Sequence, residues 1–90
     1  MKKTEKIYPH QLKAARVLAR LSQKELCALA GVSLVTLRRL ESESGYAEIV
    51  TAETSWLVRR ALEQQGVMFI TEENSTPSIP GIGVAIKSWP

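Results

Sequence analysis

Few side chains in this sequence are arranged for covalent chemistry, and a basic pair stands out instead. Arg38 and Arg39 close a run in which Leu37 and Leu40 recur at helical spacing, leaving Leu34, Val35, Thr36, Arg38 and Arg39 on the other faces. Guanidinium groups carried on a helix suit phosphate oxygens or the acceptor edge of a base. The charge distribution points the same way. Residues 1–40 hold nine Lys/Arg against Glu5 and Glu25, whereas residues 41–90 hold three against seven Glu. The net charge of +3 therefore hides a basic half that coincides with the helical run, the footprint expected of a polyanion binder. Solvated surface charge is the alternative on charge alone. No paired carboxylates, nucleophile beside a base or phosphate-cradling glycine loop is present, so an enzyme is not expected. The single Cys27 cannot form an internal disulfide and has no Cys/His cluster around it, so neither a metal nor a cofactor is expected, and a reducing cytoplasm is the default compartment. Cys27 reads as a small core or boundary residue, and His10 as a surface helix residue.

The elements that must position the basic pair follow from local signals. Ser22 with Glu25 three residues on is a capping box, which starts a helix whose inner face is Leu26, Leu29 and Ala30. Gly31 ends it, with positive φ, and Val32 turns inward. Ser33 caps the next helix, which runs to Glu41 or Ser42. Before this pair, residues 1–8 read as a basic arm. Pro9 opens a first helix reaching Leu21, with Leu12, Ala15, Leu18 and Ala19 as its stripe and Arg16 beside that stripe. After it, residues 43–48 read as a loop anchored by Ile49 and Val50. Thr51 caps a fourth helix, Ala52 to Gln65, stopped by Gly66, whose inner residues are Leu57 or Val58, Ala61 and Leu62. The period then changes. Residues 67–71 are apolar and β-prone, 72–83 are polar with Pro77, Pro80, Gly81 and Gly83, and 84–89 alternate. The pattern predicts a mainly α fold, a helix-turn-helix bundle of four or five helices followed by a C-terminal β-hairpin. The apolar runs are too short for a membrane span, and the charged start leads into no signal core.

Ser22-Gln23-Lys24-Glu25-Leu26, Ala30-Gly31-Val32-Ser33 and Thr36-Leu37-Arg38-Arg39-Leu40-Glu41 together resemble the lambda-repressor and Cro type of helix-turn-helix, the XRE family of bacterial and phage regulators. The resemblance covers about residues 11–65. It implies a sequence-specific double-stranded DNA-binding transcriptional regulator, a repressor in most members, that lays its third helix in the major groove and binds an inverted-repeat operator as a homodimer. Residue by residue, it implies that Gln23 meets a phosphate and packs toward the third helix, with a hydrogen bond in the capping region as its other role. Lys24 lies on the backbone side, and Ser33 stands at the start of the reading surface. Leu34 and Val35 occupy outward positions where the family often has Gln, Arg or Asn; two aliphatic residues there suit thymine methyls, unless Val35 packs inward. Thr36 serves phosphate or base. Arg39 reads a base, guanine O6/N7 being the match for an arginine, and Arg38 meets phosphate or solvent. Ser44 and Gly45 lie in a loop that often contacts phosphate, although Glu43 and Glu48 oppose this. Arg16 and Glu41 match a family salt bridge, and each stands beside its helix's apolar stripe, where a charge needs a partner. Lys2, Lys3 and Lys6 either reach the DNA or form a solubilising arm.

Size adds a constraint. Ninety residues make one small domain, for which oligomerisation is a common supplement. The expected organisation is an arm (1–8), a DNA-binding domain (9–66) and a hairpin extension (67–90). Trp56 and Trp89 are candidates for a dimer contact or for core packing. An isolated hairpin is marginal, so its strands should pack on the fourth helix or join those of a second chain; a homodimer through the C-terminal strands is expected, and removal of everything after Gly66 should then give monomers with weakened operator binding. The alternative function is an antitoxin-like module that binds a partner protein through its tail while its helices autoregulate.

Overall fold

The computed structural model describes residues 7–74, 77 and 81–87. Most of the basic arm, with Lys2, Lys3 and Lys6, and the expected end of the last strand, with Trp89, lie outside the described residues.

Four helices, α1 (Pro9–Leu18), α2 (Gln23–Ala30), α3 (Leu34–Leu40) and α4 (Ala52–Gln64), precede a two-stranded antiparallel sheet, β1 (Val67–Ile70) and β2 (Gly83–Ile86). The caps follow from the sequence. Ser22 Oγ accepts from the Glu25 N–H while Glu25 Oε1 accepts from the Ser22 N–H, closing the capping box. Gly31 sits at φ 71°, a left-handed turn that a side chain resists, and brings α3 back across α2. Ser33 and Thr51 cap α3 and α4 through the Thr36 and Thr54 N–H groups.

Leu12, Ala15, Ala19, Leu26, Leu37, Leu40, Val58, Ala61 and Leu62 form one core, and Val67 and Phe69 of β1 belong to it. The hairpin thus lies on α1 and α4 and buries its own residues among theirs. Gln11, buried on the same stripe as Ala15, donates from Nε2 to the carbonyls of Ile70 and Gly83 at 2.9 and 3.0 Å, tying α1 to the end of the strand pair nearest the connecting loop. Arg59 is buried too, its guanidinium 5.4 Å from the Phe69 ring centre and its Nε 3.4 Å from Glu63.

Several expectations need correction. α1 stops at Leu18 rather than Leu21, because Arg20 takes a left-handed φ of 62° and turns the chain. Leu29 is exposed, not inner. At 100° per residue Gln23, Leu26, Cys27 and Ala30 share one arc of α2, and Leu29 falls just outside it. A single-turn 3-10 helix, Tyr46–Ile49, occupies the expected loop and turns Ile49 out to 64% exposure, leaving Val50 alone to pack on the core. On α4 the inner residue is Val58, with Leu57 exposed. α4 ends at Gln64, β1 stops before Thr71, and β2 starts at Gly83.

Candidate nucleic-acid interface

Helix α3 divides into two sides. Leu37 and Leu40 are buried, and Val35, Arg38 and Arg39, at i, i+3 and i+4, form a row on the opposite side. Val35 is 56% exposed and points outward, not into the core. Among the described residues no carboxylate pairs with Lys24, Arg38 or Arg39, so their charges are available to a polyanion. Leu34, in the first turn of α3, is half-buried. Thr36 is held at the helix start by Ser33, whose Oγ lies 2.9 Å from Thr36 Oγ1. Ser44 is exposed, but its N–H is already donated to Ser42 Oγ at 3.2 Å.

One carboxylate holds α2 and α3 to α1. Glu41, just past the end of α3, accepts from Arg16 Nε at 2.7 Å and Arg16 Nη2 at 3.1 Å, a bidentate pair, and from Gln23 Nε2 at 3.2 Å. Arg16 Nη1 donates in turn to the Leu21 carbonyl at 3.0 Å. The pair is largely out of water, with 12% of the Arg16 side chain and 5% of the Glu41 side chain exposed. This network fixes α1, α2 and α3 relative to one another, and so sets the attitude of the Val35, Arg38 and Arg39 row. Gln23 spends one amide N–H on Glu41 and keeps a second. His10 meets Glu43 at the surface, across the gap between α1 and the loop after α3.

The local electrostatics follow from these neighbours. Hydrogen bonds from the Ser22 N–H and hydroxyl hold the Glu25 carboxyl below its ordinary range. Burial pushes the Cys27 thiol up, the Glu41 charge adds to this and Arg38 opposes it. The Tyr8 hydroxyl donates to Glu72 at 2.9 Å, and that bond, with burial and the Glu72 charge, raises its pKa.

The residues that sequence reasoning missed are positioning ones. Gln11 precedes Ala15 by one turn on the α1 stripe, and Arg59 falls between Val58 and Leu62 on the α4 stripe. A polar residue on an apolar stripe was the available signal in both cases. Asn74, whose carboxamide folds back onto β1, carried no such periodic signal.

Two capped helices joined at a left-handed glycine, with a basic, solvent-facing second helix, define a DNA-binding helix-turn-helix domain. The helix-turn-helix family model matches residues 12–63, and the chain belongs to that family, the XRE group of lambda-repressor and Cro-like transcription regulators. No curated protein matches the chain. Among the described residues, no helix is long and apolar enough to cross a membrane and no group of His, Cys, Asp or Glu is arranged to hold a metal ion.

Proposed function

We propose that this regulator is a repressor that binds an inverted-repeat operator in double-stranded DNA as a homodimer, with α3 of each copy in successive major grooves. The observation that carries the reading is the outward row Val35, Arg38 and Arg39, free of carboxylates, on a helix whose opposite side is buried. In this reading Arg39 meets guanine O6 and N7, Val35 and Leu34 lie against thymine methyls, and Arg38 and Lys24 neutralise phosphates. Ser33, Thr36, the second amide N–H of Gln23 and the Ser44 hydroxyl supply hydrogen bonds to the backbone. Affinity then falls steeply with salt, because released counterions drive much of the binding.

Selection from random duplex DNA tests the proposal. A recovered palindrome with half-sites about one helical turn apart supports both the reading and the symmetry. Absence of enrichment over nonspecific DNA overturns it. The antitoxin-like reading draws on Leu57 of α4 and Met68 of β1, large apolar side chains left exposed; recovery of the chain in a tight stoichiometric complex with a second protein would favour it.

A further inference from the structure

The two long edges of the hairpin are treated differently. Lys87 N–H donates to the Gly66 carbonyl at 2.9 Å, one step beyond the paired strands. Gly66 and Lys87 are therefore a hydrogen-bonded pair, and the alternation of an antiparallel ladder makes Met68–Ala85 and Ile70–Gly83 the next such pairs. Val67 and Phe69 on β1, and Val84 and Ile86 on β2, then turn their N–H and C=O groups away from the partner strand. On β1 the outward Phe69 carbonyl accepts from Asn74 Nδ2 at 3.0 Å, and the outward Thr71 N–H donates to Asn74 Oδ1 at 2.7 Å. One carboxamide thus covers the Phe69–Thr71 end of that edge as the peptide of a neighbouring strand would. On β2, among the described residues, no hydrogen bond reaches the outward groups of Val84 and Ile86.

The open edge is also the unguarded one. Val84, Ala85 and Ile86 include no proline and no charge, the usual means by which edges resist pairing. Gln11 pins the Gly83 end of the strand and the Lys87–Gly66 bond pins the other, so both ends of the edge are anchored within the chain.

We infer that β2 pairs antiparallel with β2 of a second copy about a twofold axis at Ala85, giving one four-stranded sheet across the dimer. This rests on the dimeric reading of the preceding section. In this register Val84 and Ile86 of each copy exchange four hydrogen bonds with Ile86 and Val84 of the other. Ala85 meets its twin at a non-hydrogen-bonded position, where Cα atoms approach to about 4.5 Å and a small side chain fits best. Lys87 falls opposite Gly83, so the two lysines do not meet. On the outward face Met68, Ala85 and their counterparts form a single apolar strip.

Charge reversal across the axis tests the pairing in the full chain. Ala85→Lys and Ala85→Glu each set like charges opposite one another and are expected to sediment as monomers where the unsubstituted chain is a dimer, with unchanged melting as monomers. Their equimolar mixture is expected to restore a dimer. In a Cys27→Ala background, Ala85→Cys is expected to form an intermolecular disulfide, since the Cα separation of about 4.5 Å lies within disulfide range, and Met68→Cys is expected not to. A monomeric unsubstituted chain, or variants that stay dimeric alone, would overturn the pairing. Binding of the same variants to a single half-site separates the two readings. Retained half-site preference with failed charge reversal refutes only the β2 edge, and successful charge reversal without any DNA preference refutes only the operator reading.

Discussion

Replacing Glu41 by alanine should damage this protein far more than replacing Glu43, its neighbour two residues away. The Arg16 guanidinium gives Glu41 two hydrogen bonds, and both side chains are nearly excluded from water. Glu41→Ala leaves that guanidinium without its counter-charge and Gln23 Nε2 without its acceptor. Stranding a buried charge costs about 3–5 kcal/mol. Arg16 keeps its bond to the Leu21 carbonyl and some contact with water, which brings the expected loss down to about 2–3 kcal/mol. Total stability for a chain of this size is about 4–13 kcal/mol, so a large fraction is at stake. At about 4–8 °C per kcal/mol, the melting temperature should fall by roughly 10–20 °C. Among the described residues Glu43 pairs with His10 alone, both well exposed, and Glu43→Ala should leave the melting curve where it was. Thermal unfolding followed by circular dichroism is the assay. Arg16→Met combined with Glu41→Leu should recover much of the loss, because the cost lies in the unpaired charge rather than in the absent pair. Equal melting temperatures for Glu41→Ala and Glu43→Ala would refute the reasoning.

Arg39→Ala should relax base preference at one position of the half-site, by about 1–3 kcal/mol in competition binding, whereas Lys24→Ala should weaken all sequences alike and reduce the salt slope by about one. An Arg39→Ala selection that returns the original site would remove Arg39 from base reading. Gly31→Ala meets no atom within 4 Å, so its cost is the left-handed backbone alone, about 1 kcal/mol in denaturant titration with the fold retained. The capping carboxylate of Glu25 titrates below its ordinary range, so its contribution is present at neutral pH and disappears as pH falls through the folded value; Glu25→Gln should flatten that acid limb of the stability profile, and an unchanged limb would assign it to other carboxylates.

The helix-turn-helix was legible because its signals are local. The Ser22–Glu25 box, Gly31 and the Ser33 cap act within a few residues, and each stands where its residue type demands. Leu29, Ile49 and Leu57 were not legible, since whether an apolar residue faces in or out depends on which neighbour covers it. α2 turns Leu29 just outside its covered arc, and a 3-10 turn rotates Ile49 away from Val50. Charge placement behaved differently. Arg16 and Glu41 could be singled out because each lies beside a stripe of its own helix, but that Gln23 shares the same carboxylate depends on the angle between α2 and α3. The hairpin was visible as a change of period, but its depth of burial was not. That depth depends on Gln11 and Arg59, polar residues whose partners lie far along the chain.

That burial changes what a truncation can report. Removing everything after Gly66 strips Val67 and Phe69, each almost wholly buried, from the core shared with α1 and α4. It also leaves Gln11 Nε2 without its two carbonyls and the Arg59 guanidinium without the aromatic face beneath it. Loss of a buried phenylalanine side chain alone costs about 3–5 kcal/mol, and a buried amide left unpaired about 1–3 more, which together approach the whole stability of a domain this small. Residues 1–66 should therefore unfold without a cooperative transition, and any monomer they form would reflect a lost core rather than a lost interface. A sharp melt of residues 1–66 near that of the full chain would show instead that the hairpin is an appendage. A substitution at Ala85, on the same face of the sheet as the exposed Met68, leaves the core side chains in place and so can separate assembly from folding.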